Sequence, residues 1–168
     1  MSVTLHIATP DQRAAIEGMM QLYIHDFSEQ WFDQARGELG EDGRFEPYPL
    51  DPYWSEPGHW PYLIRKDGHL AGFALVNNRP HLKAPADAHM AEFFVLRKHR
   101  RGGTGTKAAQ ALFALHPGVW EVAVARRNIP ALPFWRGAIE SYEKVRDVSV
   151  ADVDDGGWTG PIFRFVAV

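Results

Sequence analysis

The chain contains no cysteine, and this absence limits its chemistry. It excludes a disulfide framework, a thiol nucleophile and any metal site built on thiolates. The eight histidines are spread along the chain without the spacing of metal ligands. We therefore expect no metal cofactor.

Long apolar runs and an excess of positive charge are also absent. No stretch approaches the roughly 18 consecutive apolar residues that cross a bilayer. Residues 1–8 lack the charged start and apolar core of a signal peptide. The net charge of −3 gives no general basic field. The sequence thus predicts a cytoplasmic protein with neither a membrane nor nucleic acid as a partner.

The length and composition are those of one globular domain. The chain has 168 residues, of which 45% are hydrophobic and 23% are charged. This length buries a sizeable core, and the balance is typical of soluble proteins. No repeat or long linker divides the chain, so we expect a single domain at residues 1–168.

Hydrophobic periodicity and turn signals predict a mixture of strands and helices. Strands are predicted at residues 3–8, 60–66, 69–77, 87–96, 119–125, 145–153 and 162–168, and helices at about residues 10–27, 30–38, 104–116 and 130–142. This order indicates a mixed α/β (α+β) fold. An exposed edge strand near the C-terminus is compatible with a homodimer.

The most informative segment follows the apolar strand at residues 87–96. Residues 100–106, here called the glycine-rich turn, read Arg-Arg-Gly-Gly-Thr-Gly-Thr and lead into a predicted helix. Such a turn points several backbone N–H groups into one concavity at the positive end of a helix dipole. Glycine at 102, 103 and 105 would let a phosphate approach the backbone closely. The turn predicts an anion site, most readily for a pyrophosphate.

Two motifs in this order resemble the GNAT superfamily of acetyl-CoA-dependent N-acetyltransferases. The family signature Arg/Gln-x-x-Gly-x-Gly/Ala is matched by Arg100, Gly103 and Gly105. Asn128 is followed three residues later by Ala131 and then by an aromatic pair ending in Trp135, as in the family. The resemblance implies a central twisted sheet of about six to seven strands flanked by about four helices, and the transfer of an acetyl group from acetyl-CoA to a primary amine.

The resemblance also implies where acetyl-CoA would bind. In the family, the pantetheine arm pairs with the fourth strand like an extra strand, the glycine-rich turn holds the pyrophosphate, and the Asn faces the pantetheine or acetyl end. The guanidinium of Arg100 or Arg101 would add charge-assisted bonds. The implied cofactor contacts are Phe94, Val95, Leu96, Arg100, Arg101, Gly102, Gly103, Thr104, Gly105, Thr106, Asn128 and Trp135.

Candidates for proton transfer lie on the predicted strand at residues 87–96. Glu92 is favoured as general base, because a carboxylate within an apolar strand is costly unless it has a role or a partner. His89 is a second candidate, on the opposite side of the strand by the two-residue period, and water is a third. The slot in which the family usually places an acidic tyrosine holds Trp135. The proton for the departing thiolate would then come from Tyr142, another tyrosine such as Tyr23, or solvent.

The irregular segment at residues 28–61 is expected to form part of the acceptor site. It is rich in aromatic and acidic side chains, which can receive a cationic amine. The aromatic residues are Tyr48, Tyr53, Trp54, Trp60 and Tyr62, and the acidic residues in or near the segment are Asp26, Asp33, Glu38, Glu41, Asp42, Glu46, Asp51 and Glu56. The acceptor is predicted to be an amine of a small molecule or a peptide, with the acidity favouring a polyamine, an aminoglycoside-like amine or a basic peptide end.

Two alternative functions fit parts of the sequence. Residues 103–108 also spell the Gly-x-Gly-x-x-Ala pattern of dinucleotide-binding oxidoreductases, with Glu121 downstream. However, that fingerprint normally follows the first strand of a repeating β-α-β unit, whereas this one follows a hairpin and a further strand. Trp135 in the tyrosine slot motivates the second alternative, a non-catalytic module that binds acyl-CoA for a regulatory purpose.

Overall fold

The computed structural model describes all residues, Met1–Val168. Seven strands form one sheet, and four α-helices pack on it. The strands are β1 (Val3–Ile7), β2 (His59–Lys66), β3 (His69–Asn77), β4 (Ala88–Val95), β5 (Gly118–Ala123), β6 (Val145–Asp154) and β7 (Thr159–Ala167), and the helices are α1 (Arg13–Ser28), α2 (Pro52–Ser55), α3 (Thr104–Leu115) and α4 (Ala131–Glu140). The predicted mixed α+β class is confirmed.

The sheet opens in its middle. Its order is β1-β2-β3-β4-β5-β7-β6, and every neighbouring pair is antiparallel except β4 and β5. These two parallel strands pair only at Ala88↔Trp120 and His89↔Glu121. Beyond His89, β4 continues to Val95 with β3 as its only partner. The two strands therefore form the walls of a cleft.

Two cores lie on opposite faces of the sheet. On the α3 face, helices α3 and α4 bury a cluster that includes Phe113, Trp120 and Phe163. On the α1 face, helices α1 and α2 cover a cluster that includes Ile16 and Phe73. No helix combines the length and the apolar character that crossing a membrane requires.

The segment between α1 and α2 differs from the prediction. The helix expected at residues 30–38 is wrong, since only a 3-10 turn at Glu29–Trp31 forms there. Gly37 adopts a φ of +87°, and a Cβ at this position would come within 2.9 Å of the Trp31 ring. A helix cannot continue through that backbone conformation. The unpredicted α2 is a single turn with Pro52 at its first position, where proline is tolerated.

The strands β1 and β6 form the two edges of the sheet. Strand β6 is exposed along most of its length, and Val148 and Val150 are 39% and 42% exposed. An exposed edge near the C-terminus agrees with the sequence interpretation. The homodimer inferred from that edge stays a prediction.

Candidate active site

The glycine-rich turn adopts a conformation that presents backbone donors. Arg101 and Gly103 both have a positive φ, +62° and +78°, in the left-handed region. Helix α3 begins directly afterwards at Thr104, and no side chain caps its first turn. The first N–H groups of an α-helix lack partners within the helix. They are therefore available here to an anion.

The three glycines of the turn serve different purposes. Gly103 supplies the left-handed backbone, and a Cβ on Gly102 would meet only the Nζ of Lys66, at 3.7 Å. A Cβ on Gly105 would instead lie 3.0 Å from the ring of Phe134, which stacks on Phe93. The interpretation that Gly105 makes room for phosphate stays a prediction, and the contact with Phe134 gives a separate structural reason for glycine. Gly105 lets α3 approach α4.

The two arginines of the turn have different surroundings. The Nε of Arg100 donates to the carbonyl oxygen of Val95 at 2.6 Å, and its guanidinium pairs with Asp26 of α1 at 2.6 Å. Arg97 binds the same carboxylate at 2.8 Å. Burial raises the pKa of Asp26, but these two arginines outweigh it and hold the pKa below its usual value. Arg101 is exposed and makes no ion pair, so its charge faces solvent beside the turn.

A β-bulge in β4 changes which side chains share a face. Leu75 pairs with Glu92, but Val76 pairs with Met90, so Ala91 is an extra residue in the strand. Asn77 then pairs with His89. Residues 75 and 77 of β3 point the same way, and cross-strand partners share a face. Glu92 and His89 therefore both lie on the α1 face, and the prediction that they lie on opposite sides is wrong.

Glu92 lies in a cluster of tyrosines. The hydroxyls of Tyr23 from α1 and Tyr48 from the irregular segment face its carboxylate. Burial raises the pKa of Glu92, while the two hydroxyls and nearby His89 only partly offset this. Burial and the neighbouring Glu92 charge likewise raise the pKa of both tyrosines. The raised pKa makes the Glu92 carboxylate a stronger base than an exposed glutamate. The hydroxyls of Tyr23 and Tyr48 stay protonated because their own pKa values are raised.

His89 lies between this group and a second carboxylate, which is buried. The Nδ1 of His89 lies 3.3 Å from Oε1 of Glu121, which is fully buried on β5 where the cleft begins. Glu121 also accepts the backbone N–H groups of His81 and Leu82, at 2.5 and 3.1 Å. Burial raises its pKa, but His89 and these donors outweigh burial and lower it.

Sequence reasoning missed the role of Glu121, although the signal was present. Glu121 is a lone carboxylate between Trp120 and Val122, in an apolar strand. The same pattern singled out Glu92. What a single sequence does not reveal is that the two strands meet at His89 and Glu121.

Of the two residues expected near the acyl end of acetyl-CoA, one borders a cavity and the other is buried in the core. Asn128 lies in the turn after β5 and borders a cavity of about 290 Å³ whose wall includes Ile129 and Leu132. Trp135 is buried against Phe93, with ring centres 5.0 Å apart. Its indole is therefore a core side chain beneath the cleft.

Tyr142 is not brought to the group around Glu92. It follows the end of α4 and packs on Phe113, with ring centres 5.6 Å apart. This contact lies on the α3 face, whereas Glu92 lies on the α1 face. The sheet separates Tyr142 from Glu92, and the role of Tyr142 as the acid for the thiolate stays a prediction.

The aromatic residues of the irregular segment also divide between the faces. Tyr53 packs on the α1 face, where its hydroxyl accepts the Asn77 amide at 3.1 Å. Trp54 donates its indole N–H to the carbonyl of Ala8. Trp60 and Tyr62 instead pack on the α3 face. The expected aromatic cluster of five is thus reduced, near Glu92, to Tyr48 and Tyr53.

Comparison with known proteins identifies the family. The model of the acetyltransferase (GNAT) family matches residues 16–138, most of the chain. The chain therefore belongs to the GNAT acetyltransferase family. No curated protein matches the sequence significantly.

Solved structures share the fold at low sequence identity. The aminoglycoside acetyltransferase AAC(6')-Ib in complex with coenzyme A and kanamycin has a TM-score of 0.63 at 14% identity, covering 99% of this chain and 95% of that chain. An acetyltransferase of the GNAT family from Staphylococcus aureus Mu50 has a TM-score of 0.59 at 8% identity, covering 97% and 98%. Spermidine N-acetyltransferase from Vibrio cholerae, in complex with CoA and spermine, has a TM-score of 0.56 at 11% identity, covering 97% and 93%.

The topology excludes the dinucleotide-binding alternative. That fold needs a mostly parallel sheet with its fingerprint after the first strand. Here one strand pair of the sheet is parallel, and the glycine-rich turn follows β4. Glu121 is engaged with His89 and two backbone N–H groups, so it is not free to bind a ribose.

Proposed function

We propose that the protein transfers the acetyl group of acetyl-CoA to a primary amine of a small molecule or a peptide. Glu92 acts as the general base, with direct attack of the amine. The observation that carries this proposal is the position of Glu92. It is a half-buried carboxylate with a raised pKa, on the part of β4 that has no partner on its cleft side.

The cleft and the turn fit coenzyme A. Beyond His89, β4 has no strand partner on its cleft side, and this supports contacts of the pantetheine arm with the backbone of Phe94, Val95 and Leu96, where Arg100 already donates to the Val95 carbonyl oxygen. The uncapped start of α3 suits a pyrophosphate. We assign its contacts to the backbone of residues 101–106 and to the guanidinium of Arg101. Arg100 is instead a positioning residue, since its guanidinium already binds Asp26 and Val95.

Proton removal is the main chemical task of the protein. An alkylammonium with a pKa of about 10.4 is neutral in only about 1 molecule in 2,500 at pH 7, a cost of about 4.6 kcal/mol. A base with a pKa closer to neutrality accepts this proton more readily. Burial raises the pKa of Glu92 and so gives it this property, while the neighbouring hydroxyls of Tyr23 and Tyr48 favour the charged form. Acetyl-CoA supplies the activated thioester carbonyl that the neutral amine attacks.

The departing thiolate has no tyrosine at the usual position. Trp135 fills that slot in the core, and Tyr142 lies across the sheet. A thiolate with a pKa of about 8.5 is a tolerable leaving group. We therefore assign its protonation to solvent.

A thermal-shift comparison of acetyl-CoA, CoA, NAD and ATP at fixed salt tests the cofactor. A ligand at a hundred times its dissociation constant adds about 2.7 kcal/mol, or about 5–10 °C for a chain of this size. We expect a shift with acetyl-CoA and CoA but not with NAD or ATP. Release of CoA is then measured against a panel of amines. Tight binding without release above hydrolysis would favour the non-catalytic module suggested by Trp135.

A further inference from the structure

The acetylation of an ammonium group removes two protons from one nitrogen. At pH 7 a primary amine arrives mainly as R–NH₃⁺, which has three N–H bonds, whereas the amide product has one. The thiolate takes one proton back from solvent, so one proton is released overall. A carboxylate holds only one proton at a time. Glu92 must therefore pass on the first proton before it can accept the second.

Direct escape of this proton into the cleft is blocked during turnover. Glu92 is half-buried and lies where β4 loses its β5 partner, which is where acetyl-CoA and the amine are proposed to meet. While both substrates are bound, they displace water from the carboxylate. The first proton then needs a path through the protein.

Two histidine rings lie between Glu92 and solvent. His89 shares a face of the sheet with Glu92, is only 4% exposed, and offsets part of the increase in pKa that burial causes at Glu92. The ring of His81 contacts the His89 ring edge-on, with ring centres 5.0 Å apart. His81 is exposed. The contact thus connects a buried imidazole to one that reaches the surface.

The carboxylate of Glu121 suits His89 to carry a proton. An imidazole takes a proton on one nitrogen and releases one from the other, and its ordinary pKa of about 6.5 allows both near neutral pH. Glu121 lies 3.3 Å from Nδ1 of His89 and balances the charge of the protonated ring. Burial raises the pKa of Glu121, but His89 and two backbone N–H groups outweigh burial and lower it. Glu121 therefore keeps its charge and does not become the end of the path.

The surroundings of His81 favour release of a proton. The titratable groups that face its ring are His89, Glu121 and Asp155. Burial and the charge of His89 lower the pKa of His81, and the two carboxylates only partly offset this. The ring stacks on Trp158, with ring centres 4.8 Å apart, and borders a cavity of about 80 Å³. A proton that reaches His81 is thus held weakly at the surface.

We propose that His89 and His81 form a relay that carries the first proton of each turnover from Glu92 to solvent. This inference rests on the proposed function and deepens it. The protonated Glu92 carboxyl gives its proton to the His89 ring, the imidazolium gives one to His81, and His81 releases it to water. Glu92 is then again a carboxylate, ready for the second proton, and both histidines are again neutral. His81 acts through His89 and does not touch the substrates.

Two substitutions of His81 separate proton transfer from packing. His81→Phe keeps a ring against Trp158 and keeps the backbone N–H that Glu121 accepts. His81→Ala removes the ring and leaves room for a small base. With the amine that the wild type acetylates fastest, at low buffer concentration, we expect kcat of both to fall about tenfold, less than the roughly 10²–10⁴ of the base itself. Imidazole at constant ionic strength should restore His81→Ala but not His81→Phe.

His69→Ala is the matched control, because His69 is an exposed histidine at the start of β3. Its kcat should equal that of the wild type with and without imidazole. Full activity of His81→Phe would overturn the relay and leave Glu92 as the base. A loss in His81→Ala that imidazole does not restore would overturn it too, since His81 would then act by packing alone. No CoA release by the wild type with any amine would refute the proposed function, and the relay with it.

An NMR titration of the histidine rings tests the relay without any substrate. Burial and the charge of His89 both lower the pKa of His81, so His89→Asn should raise the pH at which His81 titrates. An unchanged titration would remove the contact on which the relay depends. In turnover, His81→Phe should cause no further loss of kcat in the His89→Asn enzyme, because the path is already broken. Losses that multiply would place His81 outside the path.

Discussion

His89 and Glu92 present their side chains to the same face of the sheet, although they are three residues apart in one strand. The extra residue Ala91 is the cause, because it shifts the register between β3 and β4. In a regular strand, side chains three residues apart point to opposite faces of the sheet. The bulge brings His89 and Glu92 to one face, where they form one acid–base group. That group lies where β4 loses its β5 partner.

The first prediction concerns the conversion of Glu92 to glutamine, which keeps the shape and removes the charge. We expect kcat/KM to fall by about 10²–10⁴, the usual contribution of a general base. In the wild type, kcat/KM should fall as the pH decreases through the raised pKa of Glu92. The variant should lose this acidic limb. A pH–rate profile for one amine, with acetyl-CoA binding as the control, measures both effects.

The same variant should be more stable than the wild type. The folded pKa of Glu92 lies above its unfolded value because of burial. Stability from such a group is fully present below the unfolded pKa and is lost as the pH rises through the folded pKa. At pH 7 the carboxylate therefore destabilises the fold, and Glu92→Gln should raise Tm at pH 7 but not at pH 4. A lower Tm at pH 7 would mean that the contacts with Tyr23 and Tyr48 outweigh the cost of burial.

The second prediction concerns the glycine-rich turn. Gly103→Val should abolish CoA binding with the fold largely intact, since a β-branched residue disfavours the φ of +78° and would place a side chain at the uncapped helix start. Gly156→Val is the matched control, because Gly156 has a φ of +81° and open space in the turn between β6 and β7. Calorimetric titration with CoA compares the two. Equal affinities would remove the turn from the cofactor site.

The sequence could predict the parts of the site that depend on local chemistry. The glycine-rich turn and the seven strands follow from glycine, apolar periodicity and turn residues. The pairing of Asp33 with Arg127, 94 residues away, has no local signal. Nor does the bulge at Ala91, which a period of two cannot reveal. Side-chain partners across the sheet and the face on which Tyr142 packs are consequences of topology, which one sequence leaves open.

The third prediction concerns Asp26, which connects α1 to the residues that precede the glycine-rich turn. Asp26→Asn should lower the free energy of unfolding by about 1–2 kcal/mol at pH 7, since two guanidinium groups lose a charged partner of which 20% is exposed. The folded pKa is below the unfolded value, so this stability is present above the unfolded pKa and is lost as the pH falls through the folded one. Urea unfolding should show the difference between the two proteins shrinking as the pH falls below the unfolded pKa of aspartate, about 3.9. A difference that stays constant as the pH falls through this range would point to packing instead of charge.

The last prediction separates a structural from a catalytic role for Glu121. Its carboxylate anchors the backbone N–H groups of His81 and Leu82, so Glu121→Gln should cost about 1–3 kcal/mol of stability in any case. If Glu121 also orients His89 for proton transfer, the variant should lower kcat beyond what the loss of folded protein explains.

A double-mutant cycle with His89→Asn isolates that contribution. Should Glu121 act through His89, removing it from the His89→Asn enzyme would leave kcat nearly unchanged while Tm still falls. If the fold-changes in kcat of the two single variants multiply in the double variant, Glu121 does not act through His89. Its role would then be to anchor the loop at residues 81–82. The shape of the pH–rate profile gives an independent readout, since loss of an anchor alone does not change which groups titrate during turnover.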